Sequence, residues 1–122
     1  MQEERVKSNV VKEKSFLFAV RIVELSRSLV EEKREFVLSK QILSSGTAIG
    51  ALVREAEQAE SRKDFIHKLS IALKEASETE YWLELLHKTK YVDDTLFTST
   101  HNDVVELLKL LTSIIKSTKS TN

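Results

Sequence analysis

The chain contains no proline and only two glycines, Gly46 and Gly50, among its 122 residues. Sheet-rich folds need turn residues at short intervals, whereas long helices exclude both residue types. Hydrophobic residues make up 41% of the chain and charged residues 31%, so it can bury a core and keep a polar surface. The sequence therefore predicts an all-α fold in a single domain, residues 1–122, because that length is typical of one domain.

Composition also excludes several classes of protein. The chain has no cysteine, which rules out a disulfide scaffold, a thiolate metal site and a cysteine nucleophile. Its 19 Lys and Arg residues balance 19 Asp and Glu residues, so the basic excess typical of nucleic-acid binders is missing. No apolar stretch approaches the ~20 residues that span a bilayer, and the first residues lack the apolar core of a signal peptide. We therefore expect a cytoplasmic protein.

Apolar residues recur at alternating spacings of four and three, which is the pattern of helices that pack in a bundle. The predicted helices span about residues 15–32, 36–60, 62–88 and 95–119. In the second segment the alternation is strict, through Leu38, Ile42, Ser45, Ile49, Leu52, Ala56 and Ala59. Because the connections between the segments are short, we predict an antiparallel up-down-up-down four-helix bundle.

Polar residues at the segment boundaries are candidate helix caps. Ser15 is placed to cap the first helix, and Ser61 with Asp64 three residues later forms a weak capping box before the third. Either Asp93 or Asp94 could cap the fourth helix. Residues 98–102 are poor helix formers, so a later start of that helix remains open.

The third segment carries two apolar stripes on nearly opposite faces. One holds Phe65, Leu69, Ala76 and Leu83, and the other holds Ile71, Glu75, Glu78, Trp82 and Leu85. The first segment has a similar second stripe, formed by Phe16, Val20, Val23 and Val30. An irregular bundle could bury both stripes internally. The alternative is a self-association surface, for which Ile71, Trp82 and Leu85 are the candidate interface residues.

Residues 46–51 of the second segment are mostly small. A helical glycine costs about 1 kcal/mol relative to alanine, so Gly46 and Gly50 need a compensating feature. Close approach of a neighbouring helix or subunit is one explanation, and a kink or hinge is the other.

Histidines and carboxylates on a helical bundle raise the question of a di-iron site. Such sites need a Glu-x-x-His motif on each of two helices and a Glu on each of two others. Here Glu84-x-x-His87 and the looser Asp64-x-x-His67 lie on the same predicted helix. Nothing resembles a nucleophile motif or a phosphate-binding glycine loop. We therefore predict a non-enzymatic protein with no catalytic, cofactor-binding or metal-binding residues, in which His87 is structural.

Two segments carry a family resemblance. They are FVLSKQILSSGTAIGALVREAEQAESRKDFIHKLSIALKEASETEYWLELL at residues 36–86 and KSFLFAVRIVEL at residues 14–25. Together they resemble the bacterial four-helix bundle proteins related to those encoded in intervening sequences of 23S rRNA genes, which are sometimes labelled ribosomal proteins. This resemblance implies an up-down-up-down bundle, assembly into a homopentameric ring and no assigned biochemical role. It carries over no functional residue.

The fold implied by this resemblance is also similar to the accessory variability protein of diversity-generating retroelements. That protein is a basic pentamer associated with a reverse transcriptase and nucleic acid. The chain departs from it in its zero net charge. Two functional hypotheses follow. The first is a homo-oligomeric scaffold or accessory factor whose partner is a second copy of itself. The alternative is an accessory protein of nucleic acid or of a polymerase such as a reverse transcriptase.

Overall fold

The computed structural model describes residues 2–120, with side-chain surroundings from residue 5 onward. Four helices account for almost all of this part of the chain, and it contains no strand. The helices are α1 (Gln2–Lys33), α2 (Leu38–Glu57), α3 (Arg62–Lys88) and α4 (Asp94–Ser120). The all-α, four-helix prediction is confirmed. None of the described helices is both long and apolar enough to cross a membrane.

Contacts between helices fix their relative directions. Lys12 pairs with Glu57 at one end of α1, while Ser26 bonds to Ser39 nearer the other end. The contacts of α1 with α4, of α2 with α3 and of α3 with α4 likewise pair early residues of one helix with late residues of the other. Adjacent helices therefore run antiparallel. Within the described residues α1 and α3 each pack against α2 and α4 but not against each other, so they occupy diagonal corners.

Helix α1 begins well before the predicted start at Ser15. Ser15 is fully buried inside the helix and donates a hydrogen bond to the Lys12 carbonyl, so it is not an N-cap. The reason is Val11, which is 1% exposed and extends the four-three alternation of core positions toward the N-terminus. Burial of that side chain in the bundle core stabilises the N-terminal part of the helix, in which polar and charged residues predominate.

Local chemistry sets the other helix starts. The Ser61 hydroxyl accepts from the Asp64 N–H at 3.0 Å, and the Asp64 carboxylate accepts from the Glu60 N–H, so the predicted capping box is present in a shifted form. Asp93 caps α4 by accepting from the Leu96 N–H at 2.8 Å. Helix α4 then continues through residues 98–102 without a break.

The core follows the predicted apolar stripes. All four helices contribute fully buried aliphatic side chains, including Ile22, Leu29, Ile42, Ile49, Leu69, Leu83, Leu86, Leu107, Leu111 and Ile114. Hydroxyl groups also occupy core positions. Thr79 donates to Ser45 at 2.9 Å between α3 and α2, which satisfies polar atoms that burial would otherwise penalise.

The two glycines mark where α1 and α2 approach most closely. A Cβ built on Gly46 would lie 2.8 Å from Ile22 Cγ2, and one on Gly50 would lie 3.2 Å from the Ser15 carbonyl oxygen. Both distances are shorter than ordinary carbon contacts, so a side chain at either position would push the helices apart. Of the two explanations for the small-residue run, close helix approach is the one that the structure supports.

Candidate functional site: two apolar surfaces and a histidine cluster

A group of exposed apolar side chains lies on α1. We call it the α1 face, formed by Phe16, Leu17, Val20 and Val23, whose exposed fractions are 51%, 57%, 42% and 38%. Phe16, Val20 and Val23 are spaced four and three apart, so they form one stripe along the helix. Leu17 lies beside this stripe. Four large apolar side chains exposed together on one helix are unusual for an isolated bundle.

Grooves flank the α1 face on both sides. Toward α2, Phe16 borders a shallow groove shared with Thr47, Gly50 and Ala51, and the Arg54 guanidinium lies 5.2 Å from the Phe16 ring centroid. Toward α4, Leu17 borders two grooves, one of which contains the Arg21–Asp103 ion pair. An apolar ridge between grooves with charged margins has the organisation of a protein interface, in which a polar rim surrounds an apolar centre.

The predicted interface residues lie at the opposite corner, on α3. Ile71, Trp82 and Leu85 are each partly buried, and Trp82 packs against the core cluster. Its indole Nε1 donates to Glu78 Oε2 at 3.1 Å, and its ring makes a T-shaped contact with that of Tyr81, with centroids 5.0 Å apart and an interplanar angle of 72°. We call this surface the α3 stripe.

Two glutamates give the α3 stripe an acidic character. Burial raises the pKa of the Glu75 carboxyl, and the nearby Glu78 carboxylate raises it further, while Lys74 partly opposes both effects. Glu78 is exposed and is held by Trp82. A positive group that approached Glu75 would relieve the cost of its charge, because opposite charges favour the ionised form.

A third group of side chains lies between α3 and α4. His87 Nε2 lies 2.7 Å from Asp94 Oδ1, and its ring stacks on Phe97 with centroids 4.0 Å apart. The second histidine of this group, His101, also stacks on Phe97, with ring centroids 5.0 Å apart. Its Nε2 lies 2.8 Å from Glu80 Oε2. His87 thus lies between Asp94 and Phe97, and its structural role stays a prediction.

Glu84 lies near different residues from the one that its motif suggested. Its carboxylate lies within 4.8 Å of the ligating atoms of both Glu80 and His101. The Glu84-x-x-His87 spacing does not bring those two side chains together as a site, because His87 bonds to Asp94 instead. Sequence reasoning missed the Glu80–Glu84–His101 group, although the i, i+4 spacing of the glutamates signals that they share a face. His67 is exposed, away from this group.

Comparisons with known proteins agree with the fold. A model of the 23S rRNA-intervening sequence protein family matches residues 7–113. The chain is also similar to a crystal structure, at 1.70 Å resolution, of a protein of unknown function from the S23 ribosomal protein family of Bacteroides thetaiotaomicron VPI-5482. The two are 65% identical, with a TM-score of 0.89, over 90% of this chain and 98% of the other. No curated protein matches the chain.

Proposed function

The chain belongs to the 23S rRNA-intervening sequence protein family. We propose that it is a non-enzymatic scaffold or accessory factor that assembles into a homo-oligomeric ring. The exposure of the α1 face carries this proposal. Burial of such a surface contributes about 25 cal/mol per Å², which is the main source of free energy for protein association.

The position of the two apolar surfaces favours a head-to-tail contact. Because α1 and α3 occupy diagonal corners of the bundle and do not touch, the α1 face and the α3 stripe are two separate surfaces of the subunit. A contact between two different surfaces leaves a pair of subunits with one free surface of each kind, so assembly continues past the dimer and forms a ring when the rotation between subunits closes. A ring of five subunits is the assembly that the sequence resemblance implies, and we propose it here.

Charge at the two surfaces is complementary. Arg27 continues the stripe of the α1 face, and Arg54 lies over Phe16 at its edge; both side chains are exposed. Glu75 and Glu78 lie within the α3 stripe. Opposite charges at the margins of an interface select the partner surface and speed its encounter. In the proposed ring the arginines of one copy meet the glutamates of the next.

The test of this proposal is the mass of the assembly under native conditions. Val20→Glu places a charge in the α1 face, where exposure leaves the fold of the monomer unaffected. Val37→Glu is the matched control, because Val37 is 68% exposed in the α1–α2 connection, away from the face. We expect Val20→Glu to weaken assembly at least ~10-fold, as loss of a central interface contact does, while the Val37 variant assembles normally.

Native mass spectrometry and light scattering distinguish the outcomes. A wild-type chain that remains a monomer at high concentration would contradict the proposal. So would an assembly that is equally insensitive to both substitutions.

The alternative role with nucleic acid or a reverse transcriptase makes a different prediction in the same experiment. Several basic side chains of α1 already pair with carboxylates, as Lys12 does with Glu57 and Lys14 with Glu106. Nucleic-acid binding through phosphates depends steeply on salt. Added mass from co-purified nucleic acid that disappears at higher salt would favour this alternative.

A further inference from the structure

The group formed by Glu80, Glu84 and His101 joins α3 to α4 outside both apolar surfaces. The two glutamates are one helical turn apart, so their carboxylates project from the same side of α3. His101 reaches them from α4. One ligating atom of each residue lies within 4.8 Å of the corresponding atoms of the other two.

The histidine of this group is held in place before any ligand arrives. Its ring stacks on Phe97 with an interplanar angle of 19°, and Phe97 is itself stacked on His87 at 11°. His87 is in turn bonded to Asp94. These successive contacts fix the plane of the His101 ring, and its Nε2 is directed at the carboxylates. Partners that orient a ligating histidine in this manner strengthen metal binding.

The three side chains differ in exposure, and the difference allows a cation to enter from solvent. The side chains of His101 and Glu80 are 27% and 28% exposed, so both are partly withdrawn from water. Glu84 is exposed. A cation can therefore reach the group from solvent, bind two ordered ligands and be closed in by the third.

We propose that Glu80, Glu84 and His101 form a binding site for a divalent transition-metal ion of the zinc class. Each glutamate supplies one carboxylate oxygen, and His101 supplies Nε2 after the metal displaces to solvent the proton that Nε2 shares with Glu80. The fourth position is left for water. Zinc accepts this mixture of nitrogen and oxygen ligands at about 2.0–2.2 Å, which places tetrahedral ligands ~3.4 Å apart. The His101 Nε2–Glu80 Oε2 distance of 2.8 Å lengthens to this spacing when the metal enters, and rotation of the exposed Glu84 side chain brings its carboxylate closer.

Binding at this site would link α3 to α4 and stabilise the bundle. A metal that binds the folded chain and not the unfolded chain stabilises it by RT ln(1 + L/Kd), where L is the free metal concentration, so the melting temperature rises with the logarithm of the metal concentration once that exceeds the dissociation constant. This role is independent of ring assembly, since neither the α1 face nor the α3 stripe contributes a ligand.

The experiment is a titration of the purified chain with Zn²⁺ by calorimetry, together with Co²⁺ as a spectroscopic probe. We expect one ion per chain and Co²⁺ absorption bands typical of a low-coordinate nitrogen and oxygen site. Glu84→Gln should weaken binding at least ~10-fold while leaving the fold intact, because that side chain is exposed. His101→Gln should weaken Zn²⁺ binding to a similar extent.

His67→Gln is the matched control, because His67 is an exposed histidine of α3 outside the group. It should bind Zn²⁺ as the wild-type chain does. Absence of saturable binding in the wild-type chain would overturn the proposal, as would equal losses in the His67 and Glu84 variants. Melting curves without metal, recorded for each variant, separate lost binding from lost folding.

Discussion

At the scale of single residues, Gly46 shows how a residue with poor helix propensity can be required by packing. The side chain of Ile22 fills the space that a Cβ would occupy at this position. The glycine costs about 1 kcal/mol as a helical residue, but it allows α1 and α2 to pack without a gap. The sequence identified the small-residue run, and it left open whether packing or a hinge explained it, because the partner of Gly46 lies on another helix.

Substitution of this glycine distinguishes the two explanations. We expect Gly46→Ala to lower the free energy of unfolding by about 1 kcal/mol, because an overpacking cost of about 1–3 kcal/mol exceeds the gain in helix propensity. Urea denaturation followed by circular dichroism measures the change. Gly50→Ala is the comparison, with a smaller loss, since its Cβ would lie 3.2 Å from its nearest neighbour rather than 2.8 Å. A Gly46→Ala variant more stable than wild type would instead support the hinge.

At the scale of elements, the helix ends show which boundaries a sequence can predict. The caps at Ser61 and Asp93 depend on residues within four positions of one another, and both were within reach of the sequence. The start of α1 could not be predicted from the sequence, because it depends on burial of Val11 by the other helices. Most residues before Ser15 are polar or charged, so the local sequence does not indicate a helix there.

The start of α2 depends on a side chain that precedes the helix. The Glu35 carboxylate accepts from the Ser39 N–H at 2.7 Å and from the Val37 N–H at 3.3 Å. Burial raises the pKa of Glu35, but hydrogen bonds from the backbone of Leu38, Ser39 and Val37 outweigh it, so the pKa lies below its ordinary value of 4.5. The ionised form is therefore the one that stabilises the folded state.

This arrangement predicts a specific dependence of stability on pH. Because the folded-state pKa of Glu35 is lowered, its contribution is complete above pH 4.5 and is lost as pH falls through the folded-state value below that. Glu35→Gln should cost about 1 kcal/mol at neutral pH, as loss of a helix cap does. The difference from wild type should shrink under acidic conditions.

Chemical denaturation at a series of pH values measures this effect, with Glu32→Gln as the control for an exposed carboxylate of the same region. If the difference in free energy of unfolding between wild type and Glu35→Gln did not shrink at the lowest pH measured, the capping role would be contradicted.

At the scale of the whole molecule, the two apolar stripes were visible in the sequence, but their relative exposure was not. Exposure depends on how far α2 and α4 cover each stripe. Trp82 packs against the core, whereas the α1 face remains open. The candidate interface on α3 stays a prediction, and the structure adds the exposure of the α1 stripe, which makes the α1 face a second candidate surface. The proposed head-to-tail contact requires both.

Mixing two variants tests that contact directly. Val20→Glu blocks the α1 face, and Leu85→Glu blocks the α3 stripe. If the two surfaces bind each other, each variant alone should be a monomer. A mixture should form dimers and nothing larger, because an intact α3 stripe on the first variant can bind the intact α1 face of the second. Native mass spectrometry with one variant isotopically labelled identifies such a mixed pair.

A symmetric contact between two α1 faces gives a different result in the same mixture. Leu85→Glu alone would then assemble as the wild-type chain does, since its α1 face is intact. The mixture would contain no mixed dimer, because an isologous interface needs the same surface on both partners. The mixed dimer is thus the species that a head-to-tail ring requires and a symmetric assembly forbids.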